Sequence, residues 1–202
     1  MKNNSPIAVT GVGCLCAAGQ DLKQCMGSLF SSACSPNPPT RFSSDHPTDY
    51  PVFEILEMPS IRSNGPQLDI TLTAKFALKA AQQALGNAGL SRKMLQDKRV
   101  GVCIGTTVGS TMNNEEFYRK YRSSSRPQMA AIDRFLNSNP ARVIAEQYGV
   151  SGPCQTVVNA CSSGADAIGL GAAWIRSGIC DIVLAGGADE LCRVTYLSLI
   201  HI

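Results

Sequence analysis

The stretch VVNACSSGADAIG (157–169) places a cysteine between an apolar run and a series of very small residues. The apolar run predicts the end of a buried strand, and the residues after it predict a helix that begins at or just after Cys161. Free backbone N–H groups and the positive end of the helix dipole would then face the sulfur and favour the thiolate. The same N–H groups could hold a developing oxyanion. From spacing alone, Cys161 is either a nucleophile or one more small apolar core residue.

The helix after Cys161 is predicted to have almost no side-chain bulk. Seven of the residues from 164 to 173 are glycine or alanine. Glycine costs a helix interior about 1 kcal/mol per residue, so such a run requires a compensating reason. We expect the helix to pack its backbone very closely against other elements and to aim its N-terminus into a cavity.

Strands and helices alternate on both sides of this segment. Apolar runs predict strands at 7–13, 99–105, 155–160 and 180–187, with a short one at 52–56. Helical spacing predicts helices at 20–32, 68–90, 113–126, 140–149 and 161–178. Because each strand is apolar nearly throughout, the fold class is α/β with a mainly parallel sheet covered by helices on both faces.

Composition excludes several classes of protein. The chain has 202 residues, 44% of them hydrophobic and 16% charged, which suits one compact unit with a sizeable core. The net charge of +3 is mild, and aromatic residues, at 6%, do not interleave with the basic ones, so no nucleic-acid binding is expected. No apolar run is long enough to span a membrane. Residues 1–19 faintly resemble a signal peptide, but glycines dilute the apolar stretch and a buried strand is the preferred interpretation.

The cysteines predict a reducing compartment. The chain has nine cysteines, an odd number, with no C-x-x-C pair, and its only histidines are His46 and His201. We therefore expect no metal site, mostly buried reduced thiols and a cytoplasmic location. Glycine-rich turns at 10–19 and 105–110 lack the full dinucleotide or phosphate-loop pattern and predict tight strand-end turns. Asp189 and Glu190 are predicted to be solvated acids of a third such turn.

Residues 159–190, NACSSGADAIGLGAAWIRSGICDIVLAGGADE, closely resemble the nucleophile segment of beta-ketoacyl-acyl-carrier-protein synthases of the thiolase-like superfamily. IAVTGVGCLCAAG (7–19) resembles the opening strand of that family, and GVCIGTT (101–107) resembles its glycine-rich strand. NPARVIAEQYGVSGPCQTVVNACSSG (139–164) continues the match in register. The resemblance covers the chain to about Cys192.

The resemblance implies a five-layered fold of two similar halves, of which residues 1–202 supply the N-terminal one. Residues 193–202 do not look like the family, which suggests a truncated or chimeric end. The family joins acyl chains by decarboxylative condensation in fatty acid, polyketide or polyene biosynthesis. By resemblance, Cys161 accepts an acyl group from a carrier-protein thioester, and a malonyl thioester then supplies two carbons to give a 3-oxoacyl product. No metal or organic cofactor is implied, since the phosphopantetheine arm of the carrier bears the chain.

Two departures from the family matter. Its two histidines and its lysine lie in the second half of the fold, and neither His46 nor His201 matches their positions. We therefore expect this chain by itself not to condense substrates. Two other functions stay open: a coenzyme-A-dependent thiolase-like enzyme using the same cysteine, and a non-catalytic partner subunit, which would typically lack that cysteine.

The resemblance also implies partners. Synthases of this kind pair as homodimers or heterodimers, with the strand at 155–160 near the two-fold axis. Carrier proteins are acidic, and a basic surface is predicted to dock the carrier, with a solvated helix face as the alternative. Its members are Arg119, Lys120, Arg122 and Arg126.

Overall fold

A parallel three-stranded sheet forms the centre of the molecule. The computed structural model describes residues 6–61, 69–123, 126 and 128–200. Strands β1 (Val100–Gly105), β2 (Cys154–Val157) and β3 (Ile182–Gly187) lie in the order β2-β1-β3, and both neighbours run parallel to β1. In register, Val102 lies opposite Cys154 on one side and Leu184 on the other. The predicted parallel sheet is confirmed.

Eight α-helices and one short 3-10 turn surround the sheet in the described part of the chain. The predicted helices around 20–32, 68–90, 113–126, 140–149 and 161–178 are all present, whereas three short helices, Arg92–Gln96, Ala130–Leu136 and Arg193–Ile200, were not predicted. The helices are α1 (Leu22–Ser31), α2 (Leu72–Asn87), α3 (Arg92–Gln96), α4 (Thr111–Ser123), α5 (Ala130–Leu136), α6 (Pro140–Tyr148), α7 (Ser163–Arg176) and α8 (Arg193–Ile200). The 3-10 turn covers Ala160–Ser162.

The two faces of β1 pack against different helices, as alternation along a strand requires. Val102 and Ile104 belong to the main core cluster together with residues of α2 and α6. On the opposite face, Gly101 lies against Trp174 of α7, and Gly105 lies against its first residue, Ser163. Every residue of β1 is buried. Helices therefore cover both faces of the sheet, as the sequence predicted.

The predicted opening strand at 7–13 is wrong for this chain, because residues 6–15 form no strand. Side chains of α2 take the backbone groups that a neighbouring strand would otherwise bond: Val12 N donates to Asn87 Oδ1 and Cys14 N donates to Gln83 Oε1. The predicted strand at 52–56 is reduced to an isolated bridge between Asn37 and Val52.

The expectation of mostly buried cysteines is also wrong. All nine are free thiols, but only Cys25, Cys103, Cys180 and Cys192 are buried. In the described residues, no helix is long and apolar enough to cross a membrane.

Candidate active site

Cys161 lies in the short connection between β2 and α7. Strand β2 ends at Val157, the 3-10 turn covers Ala160–Ser162, and α7 begins at Ser163. The thiol is free and exposed. The sequence therefore predicted the strand–cysteine–helix order correctly, and the interpretation of Cys161 as a buried core residue is wrong.

The backbone just before Cys161 has an unusual conformation. Ala160 has φ +47°, a left-handed value that costs a non-glycine residue about 1–3 kcal/mol. Its carbonyl oxygen accepts hydrogen bonds from Thr107 Oγ1 at 2.9 Å and from Ser163 Oγ at 2.8 Å. These two hydroxyls hold the peptide group that links Ala160 to Cys161, and so they fix the orientation of the backbone at Cys161.

A polar cluster surrounds the start of α7. Asn159 Nδ2 donates to Asp166 Oδ2 at 2.6 Å and to Ser162 Oγ at 2.9 Å, and Ser162 Oγ lies 2.8 Å from the same carboxylate oxygen. Hydrogen bonds from Asn159 and then Ser162 lower the pKa of Asp166. Since Ser162 is engaged in this way, its side chain makes no capping hydrogen bond to the backbone of α7.

The small residues of α7 permit a very close approach to the sheet. A Cβ on Gly105 of β1 would lie 2.2 Å from the carbonyl group of Ser163. A Cβ on Gly171 would lie 2.8 Å from Val183 Cγ1, and one on Gly187 of β3 would lie 3.2 Å from Gly164 Cα. The predicted tight packing of this helix is confirmed on the side that faces the sheet.

Of the two acids after β3, Glu190 is not the solvated turn residue that the sequence predicted, whereas Asp189 is exposed as predicted. Asp189 Oδ1 accepts from Thr106 Oγ1 at 2.8 Å, from Thr107 N at 2.8 Å and from Val108 N at 3.2 Å. It therefore ties the end of β3 to the turn that follows β1 and carries Thr107. Glu190 is only 4% exposed, and burial raises its pKa to about 6. Carboxyl ends of parallel strands meet at one edge of a sheet, and the pairing of β1 with β3, which local sequence does not show, brings these groups together.

The predicted basic surface lies on and after α4. Lys120 pairs with Glu116 at 2.7 Å, and Arg119 pairs with Glu115 at 3.9 Å, one helical turn earlier in each case. Arg122 and Arg126 are exposed. Two of the four cations thus share their charge with acids of the same helix, and the surface has mixed charge.

Neither histidine lies near Cys161 in the sequence, and His201 lies outside the residues that the structure describes. His46 Nδ1 lies 3.0 Å from Thr48 O, within its own loop. Within the described ranges, the side chains with metal-ligand spacing are those of Cys14, Cys16 and Cys25.

A model of the family described as "Beta-ketoacyl synthase, N-terminal domain" matches residues 4–200. The chain is 34% identical over 123 residues to the tetracenomycin polyketide synthase ketoacyl synthase alpha subunit of Streptomyces glaucescens, covering 57% of this chain and 29% of that protein. It is 26% identical over 193 residues to 3-oxoacyl-[acyl-carrier-protein] synthase 2 of Coxiella burnetii, covering 91% of this chain and 45% of that one.

The fold matches a solved structure described as the ishigamide ketosynthase/chain length factor. The TM-score is 0.85 at 24% identity, over 96% of this chain and 49% of that one. The chain thus spans less than half the length of these relatives. Residues 4–200 match the family in sequence and the fold matches that solved structure, so the chain belongs to the beta-ketoacyl synthase family and carries its N-terminal domain.

Proposed function

We propose that Cys161 is the acyl-accepting nucleophile of a 3-oxoacyl-[acyl-carrier-protein] synthase that acts in fatty acid or polyketide biosynthesis. One observation supports this most directly: an exposed thiol at the start of a helix that is packed against the sheet through glycines. The relatives are named as ketoacyl synthases, and one is named for an acyl-carrier-protein substrate.

The first step is thioester exchange. The Cys161 sulfur attacks the carbonyl carbon of the acyl thioester, a new C–S bond forms, and the bond to the carrier's phosphopantetheine sulfur breaks. The proton lost by Cys161 is taken up by the departing thiol. One thioester replaces another, so the step is nearly balanced in energy. Backbone N–H groups at the start of α7 are the donors proposed to stabilise the oxyanion that forms in between.

The second step joins two carbon units. A malonyl thioester loses carbon dioxide, and its carbanion attacks the carbonyl carbon of acyl-Cys161. The C–S bond to Cys161 breaks, which releases a 3-oxoacyl thioester and the Cys161 thiolate, and a proton from solvent then restores the thiol. By the family resemblance, this step requires two histidines that residues 1–202 do not place in the family pattern. We therefore propose that this chain by itself accepts acyl groups but does not condense them.

The proposed carrier is an acidic acyl carrier protein. The basic residues at the end of α4 and after it are its proposed docking surface, and they act mainly on the rate of encounter. Arg119 and Lys120 are already paired with acids of the same helix, which reduces their share of the attraction, and Arg122 is exposed on α4.

Acyl-thioester labelling tests the proposal. The chain is incubated with an acyl-carrier thioester, and the modified residue is identified by mass spectrometry in the unsubstituted chain, in Cys161→Ala and in Cys154→Ala. Cys154 is the matched control, because it is the other exposed cysteine and lies on the adjacent strand. We expect labelling to be lost only in Cys161→Ala. Equal labelling of Cys161→Ala would remove Cys161 from the mechanism, and efficient 3-oxoacyl formation from added malonyl thioester would refute the proposal that the chain alone cannot condense.

A further inference from the structure

Three cysteine sulfurs meet in the N-terminal part of the molecule. The Sγ atoms of Cys14, Cys16 and Cys25 all lie within 4.8 Å of one another, and all three thiols are free. Cys25 Sγ lies 3.7 Å from Cys14 Sγ and 3.4 Å from Cys16 Sγ. Sulfur ligands at about 2.3 Å from a zinc ion stand roughly 3.7–4 Å apart, so only small side-chain shifts separate this arrangement from a ligand set.

We propose that Cys14, Cys16 and Cys25 form a binding site for one thiophilic metal ion, of the class of zinc(II) or copper(I). Thiolate ligands select these ions over magnesium or calcium, which prefer oxygen. This site is independent of the acyl transfer proposed for Cys161.

Helix α2 holds two of the ligands in place. Gln83 bridges both ends of the ligand-bearing segment: its Oε1 accepts from Cys14 N at 3.1 Å, and its Nε2 donates to Gln20 O at 2.7 Å. A Cβ on Gly13 would lie 2.0 Å from Ala80 O, so the backbone lies directly on the helix. The segment carrying Cys14 and Cys16 is therefore preorganised before any ion binds.

A tight turn brings the third ligand to the other two. Cys16 and Gly19 exchange backbone hydrogen bonds of 3.1 and 3.0 Å. A Cβ on Gly19 would lie 2.6 Å from Cys25 N, so only glycine allows the turn to pack against the first part of α1. Asp21 caps that helix by accepting from Gln24 N at 2.8 Å. The turn and the cap together place Cys25 beside Cys16.

The site has both a protected side and an open side. Cys25 is 2% exposed, while Cys14 and Cys16 line a cavity of about 380 Å³. The cavity offers an entry path for the ion and room for water as an additional ligand, since the protein supplies three sulfurs and zinc takes four ligands.

Proton release accompanies binding. Burial, and then hydrogen bonding with Cys16 and Cys14, raises the pKa of the Cys25 thiol to about 12. Because thiolates are the ligands, binding of the ion releases protons from the cysteine thiols. Affinity should consequently rise with pH.

Sequence spacing alone predicted no metal site, because the chain has no C-x-x-C pair. The ligands instead form a C-x-C pair, with the third cysteine nine residues further on in the next helix. Only the turn at Cys16 and Gly19 makes this spacing suitable for one ion.

Metal titration of the reduced chain tests the site. Zinc(II) is titrated in competition with a chromophoric chelator, and copper(I) is titrated in a separate anaerobic experiment with its own chelator. We expect one ion per chain. Loss of a residue that only supports a metal ligand weakens binding by about tenfold to 100-fold. We expect Cys16→Ser and Cys25→Ser, which each remove a ligand, to weaken binding by at least that much. Cys34→Ser and Cys154→Ser are the controls and should bind as the unsubstituted chain does.

Three outcomes would overturn the site: binding no tighter than a low-molecular-weight thiol gives, equal loss in Cys34→Ser, or formation of a disulfide without metal uptake. Circular dichroism checks that each variant folds. If Cys25→Ser unfolds, the half-buried Cys16 decides the question. Cys161→Ala should keep full metal affinity, so failure of this site and failure of the acyl transfer are distinguishable.

Discussion

Thr107 positions the backbone that carries Cys161. Its hydroxyl donates to Ala160 O at 2.9 Å, and its N–H donates to Asp189 Oδ1 at 2.8 Å. In Thr107→Val the strained peptide at Ala160 loses one of its two hydroxyl donors. We expect the free energy of unfolding to fall by about 0.5–1.5 kcal/mol. We also expect acyl labelling of Cys161 to slow by roughly tenfold, the equivalent of about 1.4 kcal/mol in the barrier.

Thr107→Ser is the matched control, because it keeps the hydroxyl and should label at nearly the original rate. A positioning role predicts that the maximal labelling rate falls, while the acyl-donor concentration giving half of that rate stays the same. A change in the half-saturating concentration alone would contradict it.

Glu190 makes the stability of the chain depend on pH. Its folded pKa of about 6 lies above the ordinary value of 4.5, so the folded state holds the proton more tightly than the unfolded state does. The stabilising contribution of the protonated group is complete below about pH 4.5 and is lost as the pH rises through about 6. The loss is about 2 kcal/mol, because the folded pKa of about 6 lies above the unfolded value of 4.5.

Glu190→Gln should remove this dependence and keep the contact in which Oε1 accepts from Met112 N at 3.3 Å. Urea unfolding of both proteins gives the difference in unfolding free energy between the variant and the unsubstituted chain, once below that pH window and once above it. We expect this difference to change by about 2 kcal/mol between the two pH values, with the variant relatively more stable at the higher pH. An unchanged difference would mean that Glu190 is not held in the buried position.

Side chains differ in how far sequence could identify their roles. Cys161 was predictable because the strand before it and the small residues after it are its local neighbours. Thr107 and Glu190 were not, because their partners lie 53 and 78 residues away in the chain. Only the order of the strands in the sheet brings these groups together.

Helix α7 has a packed side and an open side, and two of its glycines distinguish them. A Cβ on Gly171 would lie 2.8 Å from Val183 Cγ1, whereas a Cβ on Gly169 would meet nothing within 4 Å. Gly171→Ala should therefore destabilise the chain by about 1–3 kcal/mol, the usual cost of overpacking. Gly169→Ala should stabilise it by up to about 1 kcal/mol, since alanine is the better helix former.

Denaturant unfolding of this pair measures both effects on the same helix, two residues apart. A destabilising Gly169→Ala would show that another surface covers the open side of α7 in solution. Equal effects of the two substitutions would contradict the orientation of the helix on the sheet.

The elements show where sequence patterns were sufficient and where they were not. β1 and α6 carry their own signals: an unbroken apolar run, and Asn139 followed by Pro140 at the helix start, where Asn139 Oδ1 accepts from Arg142 N at 3.0 Å. The predicted strand at 7–13 carries the same kind of apolar signal but has no strand beside it in the described residues. A strand needs a partner, and local sequence does not supply one.

At the scale of the whole molecule, the sheet is small and has two open edges. Among the described residues, β2 and β3 each pair only with β1. Unpaired strand edges and exposed apolar side chains favour pairing with another chain. Beside β2, Val158 is 68% exposed, and on α7, Ile168 is 57% exposed. The paired assembly implied by the family resemblance would cover such a surface.

We expect the purified chain to associate with itself through β2 and the open side of α7. Val158→Lys and Ile168→Lys each place a charge where an apolar side chain would be buried, so each should weaken association by about tenfold or more, given roughly 1.5 kcal/mol per buried side chain. Phe30→Lys on α1 is the control, since Phe30 is 83% exposed but lies on a different element, and it should leave association unchanged. Sedimentation velocity over a range of concentrations measures all four proteins. A clean monomer at every concentration would contradict the interface, and equal weakening by Phe30→Lys would show non-specific aggregation instead of pairing along β2.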